Sequence, residues 1–188
     1  FKKYGDIKEV AFNSAYVLQD DGDKKGYLAA SKKLQKIART FGKKDFPYQL
    51  KAIVYAGLAL KAADKTKNRR KASALFKKAL ELYRRINKAP KVKKGEPVPA
   101  VKLPKGVRGL AGQAQLHIAE YAYDDYEKLR IKGLDPSGRF SIRMLKKTLI
   151  AKAKSLEKTQ ALFAKVLEFK DPGIAAAAAF RGGKLYYD

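Results

Sequence analysis

The sequence predicts an all-α protein of about seven helices, arranged as antiparallel hairpins set side by side. Three observations predict it. Apolar residues recur at three- and four-residue spacing through most of the chain, as in Ala30, Leu34, Ile37, Ala38 and Phe41. Strand signals are missing: β-branched residues are sparse and apolar–polar alternation is absent. Finally, helical stretches accept glycine beside small residues, at Ala56-Gly57 and at Gly182-Gly183. Gly inside a helix costs about 1 kcal/mol relative to Ala, and the usual gain is a second helix lying close against that spot.

In chain order, Asp6-Ile7-Lys8-Glu9 offers a helix cap with a carboxylate three residues on. Val10, Ala11, Ser14, Ala15 and Leu18 then share a face. Asp20-Asp21-Gly22-Asp23 reads as a turn. The second helix carries Tyr27, Ala30, Leu34, Ile37, Ala38 and Phe41 inward, with Lys32, Lys33 and Lys36 outward and Gly42 as its stop. After Asp45-Phe46-Pro47 a helix from about Tyr48 to Ala63 presents Ile53, Ala56, Gly57 and Leu60. A polar turn, Asp64 to Arg70, leads to its partner, with Ala72, Leu75, Phe76, Ala79, Leu80 and Tyr83. Residues 87–106 hold Pro90, Pro97, Pro99 and Pro104, which exclude helix, so this is a Lys-rich linker or long loop. A helix from Val107 to Ile131 follows, then a turn at Leu134-Asp135-Pro136-Ser137-Gly138. The next helix is long, with Leu145, Leu149, Leu156, Phe163, Val166 and Leu167 inward and Arg143, Lys146, Lys147, Lys154 and Lys158 outward. In the final helix, Asp171 caps and Pro172 takes the first helical position.

Composition bounds the function. The chain has 188 residues, a hydrophobic fraction of 46% and a net charge of +25. Such a charge makes polyanions natural partners on electrostatics alone. Without cysteine there are no disulfides or thiolate metal sites, and a single histidine leaves little for metal or acid–base chemistry. No apolar run is long enough to span a bilayer, and no signal peptide is visible. A start at Phe1 and an end within a helical pattern read as a fragment.

The helix pairs repeat a pattern. Second helices carry Ala72, Phe76 and Ala79 at spacings of four and three; Ala30, Leu34 and Ile37 repeat it, as do Thr159, Phe163 and Val166. First helices carry a small-Gly pair and then a large residue, Ala56-Gly57 with Leu60 and Gly182-Gly183 with Tyr186. This resembles the tetratricopeptide repeat. The resemblance implies one repeat domain over 1–188, a right-handed α-α superhelix of stacked hairpins with units of roughly 4–42, 46–86 and 107–169 and a final helix 172–188. The chain departs from the family in its longer turns, its lack of tryptophan and its insertion at 87–106. Asp171-Pro172-Gly173-Ile174-Ala175-Ala176 is also similar to helix starts in large multi-repeat proteins of the bacterial cell envelope, including those of gliding-motility machinery. That likeness favours the periplasm or cell envelope over the cytoplasm.

What the family resemblance implies is a non-enzymatic scaffold that binds a protein partner in a groove, without a cofactor. Helix register puts Asn13, Tyr16, Gln113, Gln115 and Tyr121 at groove positions, with Arg181 as an anion contact. An alternative is a polyanion binder, for RNA or an acidic envelope polymer, through Lys65, Lys67, Arg69, Arg70, Lys91, Lys93 and Lys94. Lysine predominates over arginine, which suits a non-specific field. Tyr121, Tyr123 and Tyr126, with Tyr16, Tyr27 and Tyr83, suggest stacking on bases or sugars, but aromatic residues at this spacing more often line a core. The acidic group Glu120, Asp124, Asp125 and Glu127 lies on one helix, where neighbouring residues point apart, so it makes no facing carboxylate pair. His117 reads as a packed or surface histidine. No nucleophile–base pair or phosphate loop is visible, which leaves an enzyme a distant third.

Overall fold

A computed structural model describes residues 2–20, 22–41, 45–87, 103–104, 106–134 and 137–187. Among them are seven α-helices and one short 3-10 turn, and no strand beyond an isolated bridge between Leu134 and Phe140. The helices are α1 (Lys2–Tyr16), α2 (Lys24–Phe41), α3 (Phe46–Ala63), α4 (Arg69–Ile86), α5 (Val107–Lys128), α6 (Ile142–Leu167) and α7 (Pro172–Lys184); the 3-10 turn is Val17–Gln19. The all-α expectation and its helix count hold. The chain divides into two compact units, 1–114 and 115–188, so the division falls inside α5 and not in the proline-rich stretch. Most of that stretch, Gly42 and Asp135-Pro136 lie outside the described residues.

In the first unit consecutive helices pack pairwise, α1 on α2, α2 on α3 and α3 on α4. Helix α3 is the centre of this unit. Asp45 caps it, accepting the Tyr48 amide at 3.0 Å, and Pro47 sits in its first turn. Ten of its residues are buried, because three neighbours cover it. On the α2 side, the buried Ser31 hydroxyl donates to the Ala56 carbonyl at 2.9 Å. On the α4 side, a Cβ added to Gly57 would stand 2.6 Å from the Phe76 ring, so only glycine allows this approach. On the α1 side the contacts are aromatic: Phe12 meets Tyr48 and Tyr55 edge-on at centroid distances of 6.2 and 5.2 Å, and Tyr16 meets Tyr55 at 6.3 Å. Lys8 pairs with Asp45 at the start of α3. The contacts advance along both helices together, from Lys8 with Asp45 to Tyr16 with Tyr55, so the two helices run in the same direction.

Two expectations for α1 fail. Its backbone is already helical at Lys2, so Asp6 lies inside the helix and does not cap it. Val10 and Leu18 are exposed, and the buried pair is Phe12 and Ala15. The face turned inward is the one that gives Phe12 two tyrosine rings to pack on.

The second unit repeats the arrangement. Within this unit α5 meets the second half of α6, where Gln115 Nε2 donates to the Leu162 carbonyl at 3.2 Å. α6 then packs on α7. α5 and α7 run in the same direction, with Arg181 Nε 4.0 Å from Glu120 Oε1 and the Tyr126 hydroxyl 3.5 Å from the Leu185 carbonyl. The core is Leu116, Ala119, Tyr123, Tyr126, Phe163, Val166, Ala178 and Leu185. Leu149 and Leu167, expected inward, are exposed. α6 has 26 residues against 13 in α7, and its buried residues, Thr159, Phe163 and Val166, all lie in its second half. Its first half outruns the neighbour that would cover it.

Candidate functional site

In the second unit an open groove of about 220 Å³ lies between α6 and α7. It is lined by Gln160, Phe163, Ala164 and Leu167 from α6 and by Ala178, Ala179, Gly182 and Tyr186 from α7. Phe180 and Tyr187 stand exposed nearby in sequence. Local chemistry fixes α7: the Asp171 carboxylate accepts the Ile174 amide at 3.1 Å, Pro172 follows, and five successive alanines favour helix.

The groove gains meaning from a comparison of α7 with α3. Both start at a capping Asp with Pro within the next two residues, and both place glycine twelve residues after the cap, Gly57 and Gly183. In that alignment Ala52 matches Ala178 and Ala59 matches Leu185, all four buried. Ile53, Gly57 and Leu60 match Ala179, Gly183 and Tyr186. In α3 this face meets α4, with Gly57 against Phe76 and Ile53 beside Leu82. In α7 it is open: Leu60 is 6% exposed and Tyr186 is 76% exposed. A Cβ on Gly183 would find no atom within 4 Å among the described residues. The close neighbour expected at Gly182-Gly183 is therefore only partly there, since a Cβ on Gly182 would just reach Phe163 at 4.0 Å.

The expected groove residues are divided between the two units. In the first unit Asn13 and Tyr16 are exposed and Gln113 is half-buried. In the second unit Gln115 and Tyr121 lie in the interior, 6% and 3% exposed, which corrects their placement on an open surface. The amide of Gln115 holds α5 to α6, and helix register alone does not say which positions of α5 a neighbour covers. Arg181 is half-buried beside Glu120. His117 Nδ1 is 2.8 Å from Glu120 Oε2, so the histidine is packed against a carboxylate on its own helix. Tyr123 and Tyr126 are core residues, as the packing reading of the aromatics had it.

Charge is concentrated in the first unit. Of the 43 Lys and Arg, 29 fall in residues 1–114, with nine of the 18 Asp and Glu. Lys65, Lys67 and Arg70 are exposed and Arg69 is half-buried at the start of α4; Lys91, Lys93 and Lys94 lie outside the described residues. Register reasoning passed over the rest of α4, although the signal is in its sequence: basic pairs recur every seven residues at Arg70-Lys71, Lys77-Lys78 and Arg84-Arg85.

At the α1–α3 contact, burial pushes the Asp45 carboxyl up, but the Lys8 ammonium and the Tyr48 amide outweigh it and hold it below the usual carboxylate range. The Tyr48 hydroxyl donates to the Lys8 carbonyl. Its burial, with Glu9 and Asp45 nearby, pushes its pKa up to about 12. These groups are structural: they pin the first turn of α3 to α1. No helix among the described residues is long and apolar enough to cross a membrane.

Comparison of the chain with protein-family models, with curated proteins and with solved structures finds no match.

Proposed function

We propose that the protein is a non-enzymatic protein–protein interaction scaffold of tetratricopeptide type, working within a larger assembly. The observation that carries this reading is the uncovered face of α7, the counterpart of the α3 face that takes α4. The occupant follows from what α3 accepts: a partner helix with an aromatic residue between two alanines at spacings of four and three, as in Ala72, Phe76 and Ala79 of α4. Helix-in-groove binding of this kind uses anchors on one face of an amphipathic helix. The parallel pairs α1/α3 and α5/α7 support the repeat, since each first helix lies beside the next one in the series.

The test is a titration of the full chain with a synthetic helix. The peptide keeps Ala72, Phe76, Ala79, Leu80 and Leu82 of α4 and replaces its cations with glutamine, so that charge plays no part. Binding in the micromolar range is expected, lost in Ala179→Glu, which places a carboxylate in the groove while leaving an exposed helix position. No binding at millimolar peptide, or binding that Ala179→Glu leaves unchanged, overturns the reading.

A further inference from the structure

We infer that the outer face of α4 binds the phosphate backbone of a nucleic-acid duplex, independently of the α7 groove. Arg70, Lys71, Lys77, Lys78, Arg84 and Arg85 are all exposed. Their spacing puts them on one side of the helix, opposite the buried Ala72, Phe76 and Ala79. None of the six takes part in an ion pair among the described residues. The one carboxylate on α4 is Glu81, which offsets a single charge. Between α3 and α4 the face deepens into a cleft of about 100 Å³ lined by Gln49, Ile53, Lys78, Glu81, Leu82 and Arg85. Two cations and an amide line this space, enough to hold one phosphate group against the single Glu81 carboxylate that shares the lining.

The spacing suits a duplex. With a rise of about 1.5 Å per residue, the three basic pairs stand about 10.5 Å apart and span about 21 Å. A duplex groove about 12 Å wide separates its two phosphate rows by a comparable distance. Arginine supplies half of the six, and its fork pairs with phosphate oxygens in a way lysine cannot. The lysine excess of the whole chain hides this, because four of its ten arginines are on α4. Two alternatives fit the face less well. A membrane-surface helix buries large apolar residues in lipid, and α4 contributes none to the exposed large hydrophobic residues. Single-strand binders stack bases on aromatic rings, and the only Tyr on α4, Tyr83, is half-buried and off this face.

The experiment is fluorescence anisotropy of the full chain with a labelled duplex of about 20 base pairs, at several salt concentrations. Log affinity is expected to fall with log salt at a slope between about −3 and −5, since each phosphate neutralised contributes about −0.9. Arg84→Gln/Arg85→Gln and Lys77→Gln/Lys78→Gln should each weaken binding roughly tenfold and flatten the slope by about one to two. The control, Lys32→Gln/Lys33→Gln on α2, removes the same charge from another helix and should change affinity less than threefold. All six positions are exposed, so the variants keep their fold. Equal losses from the α2 and α4 pairs, tighter binding to a single strand of the same length, or tighter binding to phosphatidylserine vesicles would each overturn the assignment.

Discussion

Gly57 and Gly183 occupy matching positions, and their surroundings predict opposite responses to alanine. At Gly57 the added methyl would collide with the Phe76 ring, 2.6 Å away. Overpacking of a core costs about 1–3 kcal/mol, which exceeds the gain of about 1 kcal/mol from replacing a helical glycine. Gly57→Ala is therefore expected to lower stability by about 1 kcal/mol in denaturant titration. Gly183→Ala meets open space and should raise stability, by up to about 1 kcal/mol. Equal shifts of the same sign would contradict the packing described for α3. Phe76→Ala, which empties the same contact from the other side, should cost about 3–5 kcal/mol. Asp45 adds a pH dependence. Its folded carboxyl titrates below the unfolded one, so its contribution is complete above the unfolded value of about 4 and is lost as pH falls through the lower folded value. Asp45→Asn should flatten the acid limb of the stability–pH curve while keeping most of the capping, since Asn also caps. These residue-level facts were unevenly legible. The small-Gly pairs announced close packing, but only the tertiary neighbour decides which glycine meets a ring.

At the scale of helices, burial follows what covers each one. α3 has neighbours on three sides and buries ten residues; α7 buries one, Ala178. Their sequences share a cap, a proline and a glycine position, so the difference comes from packing and not from propensity. The same reason explains α6. Its periodicity is continuous over 26 residues, yet only its second half is covered. A helical pattern reports which residues share a face and is silent about whether a partner reaches along its full length. Shielding the open part of α6 is testable: Leu149→Gln and Ile150→Gln should each change stability by less than about 0.5 kcal/mol, as expected of exposed positions, whereas Phe163→Ala should cost several kcal/mol. The basic face of α4 was legible in its seven-residue recurrence. Its cleft with Gln49 was not, because that depends on how α3 lies beside it.

At the scale of the whole chain, charge is unevenly placed while the helical pattern runs throughout. Positive charge held at this density repels itself and works against folding. Added salt screens exposed charges beyond about 10 Å at 0.1 M. The melting temperature of the full chain is thus expected to rise between about 0.02 and 0.2 M sodium chloride; a fall would mean that ion pairs dominate. Helix class, helix order and the alternation of small-residue and aromatic seams were determined by the sequence alone, because periodicity, caps and prolines act locally and outweigh weak context. Tertiary structure decided the rest: that Gln115 and Tyr121 are interior, that Phe12 rather than Val10 faces α3, that the chain divides inside α5, and that α7 keeps its glycine face open. Each of these depends on which surfaces exclude water together. That is a property of non-local contacts, which no local spacing encodes.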